Sequence, residues 1–207
     1  MGRELGQHDV FYFTCRMCGG CCRDDREIIL NPMDVFHLSR RYQMTTTEFV
    51  RTYCVCERSD VFNGFPLLML RTEGGVCVYL DGDLCRVHDT RPACCRNYPA
   101  GSSFTREGGV RHELMDPAPA CRGFENGGAH TMEAWWVDAG LSALGPGVAL
   151  MREAARAASL RLSEAEQQQL YRILCDFDAL PGLPEAPDAD AAMALLNEYL
   201  KKLFERF

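Results

Sequence analysis

The sequence predicts a mainly α-helical protein with short β-hairpins, in which an irregular cysteine-rich module packs against C-terminal helices. Two observations predict this fold class. Eleven of the 12 cysteines lie between positions 15 and 121, where short apolar runs alternate with turn residues. The later part of the chain instead places apolar residues at helical spacing. We therefore divide the 207 residues into a cysteine-rich module over 1–125 and a helical part over 126–207.

Two helices are predicted early in the module. The first covers NPMDVFHLSRRY, and Asn31 is a suitable residue to cap its amino end. The second follows in TTTEFVRTY, where Thr45 and Glu48 form a capping-box pattern. Cys54 and Cys56 are expected at or beyond the end of this second helix.

Two hairpins are predicted after these helices. The turn signal at 81–83 should fold Cys77 back toward Cys85. A second hairpin is expected over 102–114, with its tip at 107–109.

The helical part contains four predicted segments. A helix over 130–144 should end at the Gly-Pro-Gly break of 145–147, and another helix is expected over 148–160. A third helix follows the capping-box pattern of Ser163 and Glu166. After a proline-rich linker, the last helix carries an apolar stripe made of Leu196, Leu200, Leu203, Phe204 and Phe207.

Charge and hydropathy exclude several classes of protein. The net charge of −7 disfavours broad electrostatic attraction to nucleic acid or to an anionic membrane. The first ten residues are polar and cannot form the apolar core of a secretory signal, and no later run is long enough for a membrane span. We therefore predict a cytoplasmic protein with no nucleic-acid partner and no membrane attachment.

Thiols in the cytosol are kept reduced, which favours metal ligands over disulfides for these cysteines. Cys15, Cys18 and Cys21 repeat every three residues, as in bacterial ferredoxins, but Cys22 then follows at once. Neighbouring residues usually project their side chains in different directions, so Cys21 and Cys22 are expected to serve two centres. The adjacent pair at 94–95 either straddles two sites or has one member packed as a small apolar residue.

Arginine follows cysteine more often than its frequency predicts. Five such pairs occur where chance would give about one, and we interpret them as charge compensation for anionic thiolate centres. The alternative is a general preference for arginine over lysine in this chain. The pairs are Cys15-Arg16, Cys22-Arg23, Cys85-Arg86, Cys95-Arg96 and Cys121-Arg122.

Four segments together resemble a known family. They are CRMCGGCC, EIILNPMDVFHL, GVCVYLDGDLCRVHDTRPACCRNYP and the closing CRG. They are similar to the CxxCxxCC cysteine-cluster proteins, described as YkgJ-like zinc- or iron-chelating domains, over about residues 11–125. The resemblance implies eight metal ligands, a number that divides into two four-coordinate centres. These ligands are Cys15, Cys18, Cys21, Cys22, Cys77, Cys85, Cys95 and Cys121.

The remaining candidates lie outside the family pattern. Cys54, Cys56 and Cys94 are spare thiols, packing residues or ligands of a third site, and Cys175 is expected in a helical core. His88 lies at metal-ligand spacing from a cysteine, whereas the family commonly has tyrosine there. Ligation by His88 and a packing or hydrogen-bonding role both remain open. The other histidines are expected on the surface or on helix faces.

The leading hypothesis is a metal-binding protein that holds zinc or iron, with a 4Fe-4S cluster as one form of the iron. An alternative is a metal-dependent enzyme, because flagellin lysine N-methylases resemble this cysteine module. No convincing adenosylmethionine-binding pattern accompanies the cysteines here. A third hypothesis is a redox or metal sensor that signals through the C-terminal helices.

Overall fold

The structure is a computed structural model, and it describes residues 2–24, 26–59, 65–105, 109–141, 145–158, 162–184 and 187–205. Within these ranges it combines seven α-helices with several small β-sheets. The predicted short hairpins are present, but the fold is a mixture of helices and small sheets rather than clearly mainly α. The difference arises because short strands connect much of the cysteine-rich sequence.

The described strands are β1 (Arg3–Glu4), β2 (Val10–Phe13), β3 (Cys54–Ser59), β4 (Phe65–Leu70), β5 (Thr72–Glu73), β6 (Val76–Cys77), β7 (Leu80–Asp81), β8 (Leu84–Cys85), β9 (Ala100–Phe104), β10 (Val110–Leu114) and β11 (Gly128–Thr131). The helices are α1 (Pro32–Arg41), α2 (Thr46–Tyr53), α3 (Ala93–Asn97), α4 (Met132–Asp138), α5 (Gly145–Ala158), α6 (Glu164–Cys175) and α7 (Ala189–Phe204). Short 3₁₀ helices occur at Gly20–Cys22, His88–Thr90 and Phe177–Ala179.

Backbone contacts divide the chain into two compact units. The first unit comprises the described parts of 1–28, 70–105 and 109–143, and the second those of 29–69 and 144–207. The predicted boundary near residue 125 follows the cysteines instead of these contacts. That boundary, and the packing of the helical part on the module, stay predictions.

The first unit is built from small sheets. Its largest sheet has the order β1-β10-β9, and a separate pair joins β2 to β11. The predicted hairpin over 102–114 is confirmed as β9 and β10, which pair antiparallel; its tip at 107–108 lies outside the described residues. The predicted turn at 81–83 is also confirmed, because Leu80 pairs with Cys85 across it.

An aromatic cluster forms the core of the first unit. Phe13, only 2% exposed, meets Tyr98 edge to face at a ring-centroid distance of 5.5 Å and Trp135 at 5.7 Å. The indole nitrogen of Trp135 donates to the carbonyl of Asn97 at 2.9 Å, so its polar edge is satisfied inside the core. These rings attach β2 and α4 to the segment that carries α3.

The second unit contains the helices with the strongest local signals. Asn31 caps α1, and the Asp34 carboxylate accepts from the Asn31 backbone N–H at 3.0 Å. The predicted capping boxes before α2 and α6 are confirmed as well. The stripe on α7 is largely confirmed by the burial of Leu196, Leu200 and Leu203; Phe204 is half-buried, and Phe207 lies outside the described residues.

Two predicted boundaries move. The helix predicted over 130–144 begins at Met132, because residues 128–131 pair with β2 instead. The predicted break at 145–147 forms the first turn of α5, where a proline can be accommodated because the N–H it lacks would have no helical partner. The position of Cys54 is confirmed, because it lies directly after the end of α2, where it opens β3.

Within the ranges that the structure describes, no helix combines the length and the hydropathy that a membrane crossing requires.

Candidate metal centre

The cysteine-rich opening is folded tightly around two glycines. Gly19 has a φ of 67°, in the left-handed region that favours glycine. A Cβ on Gly20 would lie 2.6 Å from the backbone nitrogen of Cys121, closer than a side chain can approach. Both positions therefore require glycine, and the chain can turn at once into the 3₁₀ helix that carries Cys21 and Cys22.

The other cysteines arrive on separate elements of the same unit. Cys77 lies on β6, Cys85 on β8 and Cys95 on α3. Cys121 ends a turn, in which its own backbone N–H donates to the carbonyl of Ala118 at 2.8 Å. Hairpins, a short helix and a loop therefore supply thiols from distant parts of the sequence.

These elements surround one cavity of about 220 Å³ in the first unit. All eight cysteines implied by the family resemblance line it, and so do Cys94 and His88. Its volume is several times the roughly 30 Å³ of a water molecule in the liquid. The structure therefore brings the predicted ligands to one place. It also places Cys94 in the cavity lining, and in the sequence only its adjacency to Cys95 pointed to this position.

The donor chemistry of the cavity fits zinc or iron, since thiolates and imidazole are preferred ligands of both. In the described part of the chain, no three Cys, His, Asp or Glu side chains already form a group that could hold a metal ion. Binding therefore requires cysteine side chains to rotate toward a common point.

Five cysteines form the group that we call the inner thiols: Cys21, Cys22, Cys77, Cys85 and Cys95. The pKa of Cys77 is raised to about 11, mainly by burial and in addition by the negative charges of neighbouring inner thiols. Burial and the charge of Cys95 likewise raise the pKa of Cys85. The inner thiols thus disfavour one another's ionisation unless a cation is added.

The side chains of Cys21 and Cys22 interact directly, because the thiol of Cys22 donates a hydrogen bond to the sulfur of Cys21. The expectation that the two residues serve two centres stays a prediction. This bond lowers the pKa of Cys21, against the effect of burial, and raises the pKa of Cys22. The 3₁₀ turn over Gly20–Cys22 places the two sulfurs side by side.

Three more cysteines, the outer thiols, are Cys15, Cys18 and Cys121. The side chains of Cys18 and Cys121 hydrogen-bond each other. Burial opposes ionisation of Cys18, but hydrogen bonds from the Arg122 and Gly20 backbones outweigh it and lower its pKa. Charges of both Cys18 and Cys21 act on Cys121, whose pKa is raised mainly by burial. Cys21 is therefore a neighbour of both groups.

Cys15 lies beside two nitrogen-containing side chains. Its sulfur is 3.9 Å from Nε2 of His88 and 3.8 Å from Nη1 of Arg91. The same Nη1 lies 3.0 Å from His88 Nε2. Burial, and then the charges of Arg91 and Arg96, lower the pKa of His88 and favour its neutral form.

The arginines of the Cys-Arg pairs bind backbone carbonyls, and their predicted role in charge compensation stays a prediction. Four of the five donate to loop carbonyls: Arg16 to Glu125 and Asn126, Arg23 to Gly82 and Cys18, Arg86 to Val78, and Arg96 to Arg91 and Asp89. The positive charges that act on Cys21 come from Arg26 and Arg91. Sequence reasoning missed Arg26, because its position gives no signal without the fold.

The other cysteines lie in the second unit. Cys54 and Cys175 are buried, which agrees with the core position predicted for Cys175, and Cys56 is exposed on β3. The charges of Cys54 and Cys56 act on Cys175, whose pKa is raised mainly by burial. All 12 cysteines lie within the described ranges, and none of them forms a disulfide.

Among the other histidines, His130 departs from the surface position expected for it. Its ring packs against Phe11 and Trp135, and Nε2 lies 2.9 Å from the Phe13 carbonyl. Its contacts are with the aromatic core, which gives it a packing role.

Comparison with known proteins agrees with this arrangement of thiols. Searches against curated proteins and solved structures returned no match. A family model described as "CxxCxxCC: Putative zinc- or iron-chelating domain" matches residues 14–122, slightly more than half of the chain. That range contains the eight cysteines of the resemblance and all of the inner and outer thiols. The chain therefore belongs to the CxxCxxCC family of zinc- or iron-chelating domains.

Proposed function

We propose that this protein binds zinc or iron in the cavity of the first unit, through the inner and outer thiols. One observation carries the proposal: eight cysteines spread between positions 15 and 121 line the same cavity. Thiols packed only as small apolar residues would not need to gather around open space. We further propose a cytosolic location, where free thiols persist.

We propose two centres. Cys22, Cys77, Cys85 and Cys95 are inner thiols linked by mutual electrostatic effects, and they supply one set of four. The outer thiols supply the second set, with Cys21 as the fourth donor because its charge also acts on Cys121. Each set matches the four-coordinate shell of structural zinc or of a 4Fe-4S cluster.

Electrostatics supports a cation in this cavity. Several thiols buried together repel one another's negative charge, and a metal ion removes that penalty while binding the deprotonated form. Arg26 and Arg91 offset part of the charge, since both favour ionisation of Cys21. A buried four-thiolate centre carries excess negative charge and is stabilised by such cations.

The decisive experiment is purification without oxygen, followed by measurement of zinc, iron and acid-labile sulfide per chain. Two zinc ions, or iron with matching sulfide and a brown colour, is the expected result. A folded protein without zinc or iron would overturn the proposal.

Two buried cysteines provide a matched pair of variants for the ligand set. Cys77→Ser should lower the metal content, whereas Cys54→Ser should leave it at the wild-type value. Cys77 lines the cavity and is 6% exposed, while Cys54 lies in the second unit and is 3% exposed. Equal metal loss in both variants would show that general destabilisation, rather than ligation, is responsible.

One observation favours an enzyme as a second candidate. The cavity is lined by Glu27, Tyr79 and Tyr98 in addition to thiols, so residues that carry carboxyl and phenol groups lie beside the candidate ligands. Methyl transfer of the flagellin lysine N-methylase kind would require adenosylmethionine to bind beside the metal. Calorimetry of the metal-loaded protein with adenosylmethionine tests this candidate, and no binding would overturn it.

A further inference from the structure

His88 is the histidine that lines the cavity of thiols. It begins the 3₁₀ helix at His88–Thr90, immediately after the segment that carries Cys85. Its Nε2 lies 3.9 Å from the sulfur of Cys15, although 73 positions separate the two residues. The fold, rather than sequence proximity, brings this nitrogen to an outer thiol.

The position of Arg91 shows which way the imidazole lone pair points. A guanidinium has only hydrogen-bond donors, so a ring nitrogen 3.0 Å from Arg91 Nη1 accepts a hydrogen bond with its lone pair. The same Nη1 is 3.8 Å from the sulfur of Cys15. A sulfur and a nitrogen lone pair therefore converge on one cationic group.

A metal ion likewise requires that the donor atoms of its ligands point at one position. Zinc–sulfur and zinc–nitrogen bonds in a tetrahedral shell place the two donor atoms roughly 3.6 Å apart. The observed separation of 3.9 Å is within a few tenths of this value. Cys15 and His88 can therefore bind one ion with only a small adjustment of the two donor atoms, once Arg91 Nη1 moves away from the His88 lone pair.

We propose that His88 is a metal ligand, binding through Nε2 in the centre that contains Cys15, Cys18 and Cys121. The inference rests on the proposed function and refines its second centre. That centre becomes one of three sulfurs and one nitrogen, and Cys21 is no longer needed as its fourth donor. Cys21 then remains with the inner thiols, where its sulfur contacts that of Cys22.

Cobalt(II) tests the proposal, because its visible bands report the numbers of sulfur and nitrogen ligands. The full chain is stripped of metal without oxygen and then titrated with Co²⁺. Wild type should bind two ions. His88→Ala should weaken one of them beyond the about 10–100-fold loss typical of a residue outside the coordination shell, with a change in the visible bands.

Two further variants make the result specific. His88→Cys should restore the second ion, with added sulfur-to-cobalt charge-transfer absorption, because a thiolate replaces the nitrogen. His112→Ala is the matched control: His112 is a half-buried histidine of the same unit that bonds to Ser102 and packs on Trp136. It should retain both ions and the wild-type spectrum.

Each contrary result has a distinct meaning. If His88→Ala binds two Co²⁺ with the wild-type spectrum, His88 is not a ligand, whether or not the affinity falls by up to 100-fold. In that case the eight-cysteine proposal stands, with Cys21 as the fourth donor. If wild type binds no Co²⁺ and no Zn²⁺ and is also isolated without iron, both proposals fail.

Discussion

The two units of the protein are held together in different ways. In the second unit, α1, α2 and α6 begin at residues that cap them, and their apolar faces are buried. In the first unit, β5 to β8 have two residues each, too short to be stable alone. The comparison teaches that local signals suffice for the helices, whereas the loops that carry thiols depend on an aromatic core and, we propose, on metal.

The two units also differ in how the negative charge of buried side chains is neutralised. In the second unit Asp178 accepts from both terminal nitrogens of Arg40, at 2.6 and 3.0 Å, and from the Thr46 backbone. The carboxylate therefore has its positive partner within the fold. In the first unit the inner thiols raise one another's pKa, and we propose that a metal cation supplies the compensation that Arg26 and Arg91 give only in part.

The largest expected effect comes from removing metal. Chelation without oxygen should cost the first unit on the order of 10 kcal/mol, as in small zinc-stabilised domains, because the thiols lose their common partner. Hydrogen exchange should then accelerate in β6, β8 and α3 while α6 and α7 keep their protection. Unchanged exchange in β6 and β8 would show that the first unit folds without metal.

A core substitution in the second unit should have the next largest effect. Phe177 is 0% exposed and stacks on Phe36 at a centroid distance of 6.4 Å. Phe177→Ala should lower the free energy of unfolding in urea by about 3–5 kcal/mol. Metal content should not change, because the described residues lining the cavity all belong to the first unit.

The exposed Val137 is the control for that substitution. Val137→Ala should change the free energy of unfolding by less than about 0.5 kcal/mol. A similar loss in both variants would contradict the assignment of Phe177 to a well-packed core.

Removing the Asp178 carboxylate should lower the free energy of unfolding by an intermediate amount that depends on pH. Burial raises its pKa, but hydrogen bonds from Arg40 and Thr46 lower it more, so the folded pKa lies below the unfolded value. Its stabilisation is therefore full above about pH 4 and is lost as pH falls through the folded pKa. Asp178→Asn should cost about 1–3 kcal/mol at pH 7 and progressively less in acid.

Urea titrations of wild type and Asp178→Asn between pH 7 and pH 3 measure that difference. Glu198→Gln removes the carboxylate of an exposed ion pair with Lys202 and serves as the control. Its unfolding midpoint should stay close to that of wild type at every pH. A constant gap between Asp178→Asn and wild type would show that the carboxylate charge is not responsible.

Substitution of Cys175 is expected to leave the metal content of the protein unchanged. Its side chain is only 2% exposed at the end of α6, in the second unit. Cys175→Ser should cost about 1–3 kcal/mol, since it buries a hydroxyl, and leave the metal content at the wild-type value. Metal analysis of the folded variant decides this, and loss of an ion would add Cys175 to the ligand set.

Several helices of the second unit could be predicted from the sequence because their signals are local. Each helix cap is formed by a side chain that accepts from a backbone N–H within three residues, so the neighbouring residues suffice to predict it. The capping residues are Asn31, Thr45 and Ser163. The strands were harder. β11 pairs Gly128 with Phe13, and no local pattern encodes a partner so distant in the sequence.

The same limit applies to the candidate site. Spacing and family resemblance predicted eight cysteines, and all eight line the cavity. Spacing also predicted that Cys21 and Cys22 serve two centres, which stays a prediction, and only the structure shows that a hydrogen bond joins their side chains. The closeness of His88 to Cys15 depends on tertiary structure, since their separation in sequence leaves their distance undetermined.

The sequence by itself determined the chemistry of this protein: its thiols and the resemblance of their spacing to the metal-chelating CxxCxxCC family. It also determined the caps of α1, α2 and α6. Only the tertiary structure decided which thiols share a cavity, which cations face them and that His88 lies beside Cys15. The physical reason is that side-chain chemistry belongs to each residue, whereas the distances between donors are set by strand pairing and packing across long stretches of chain.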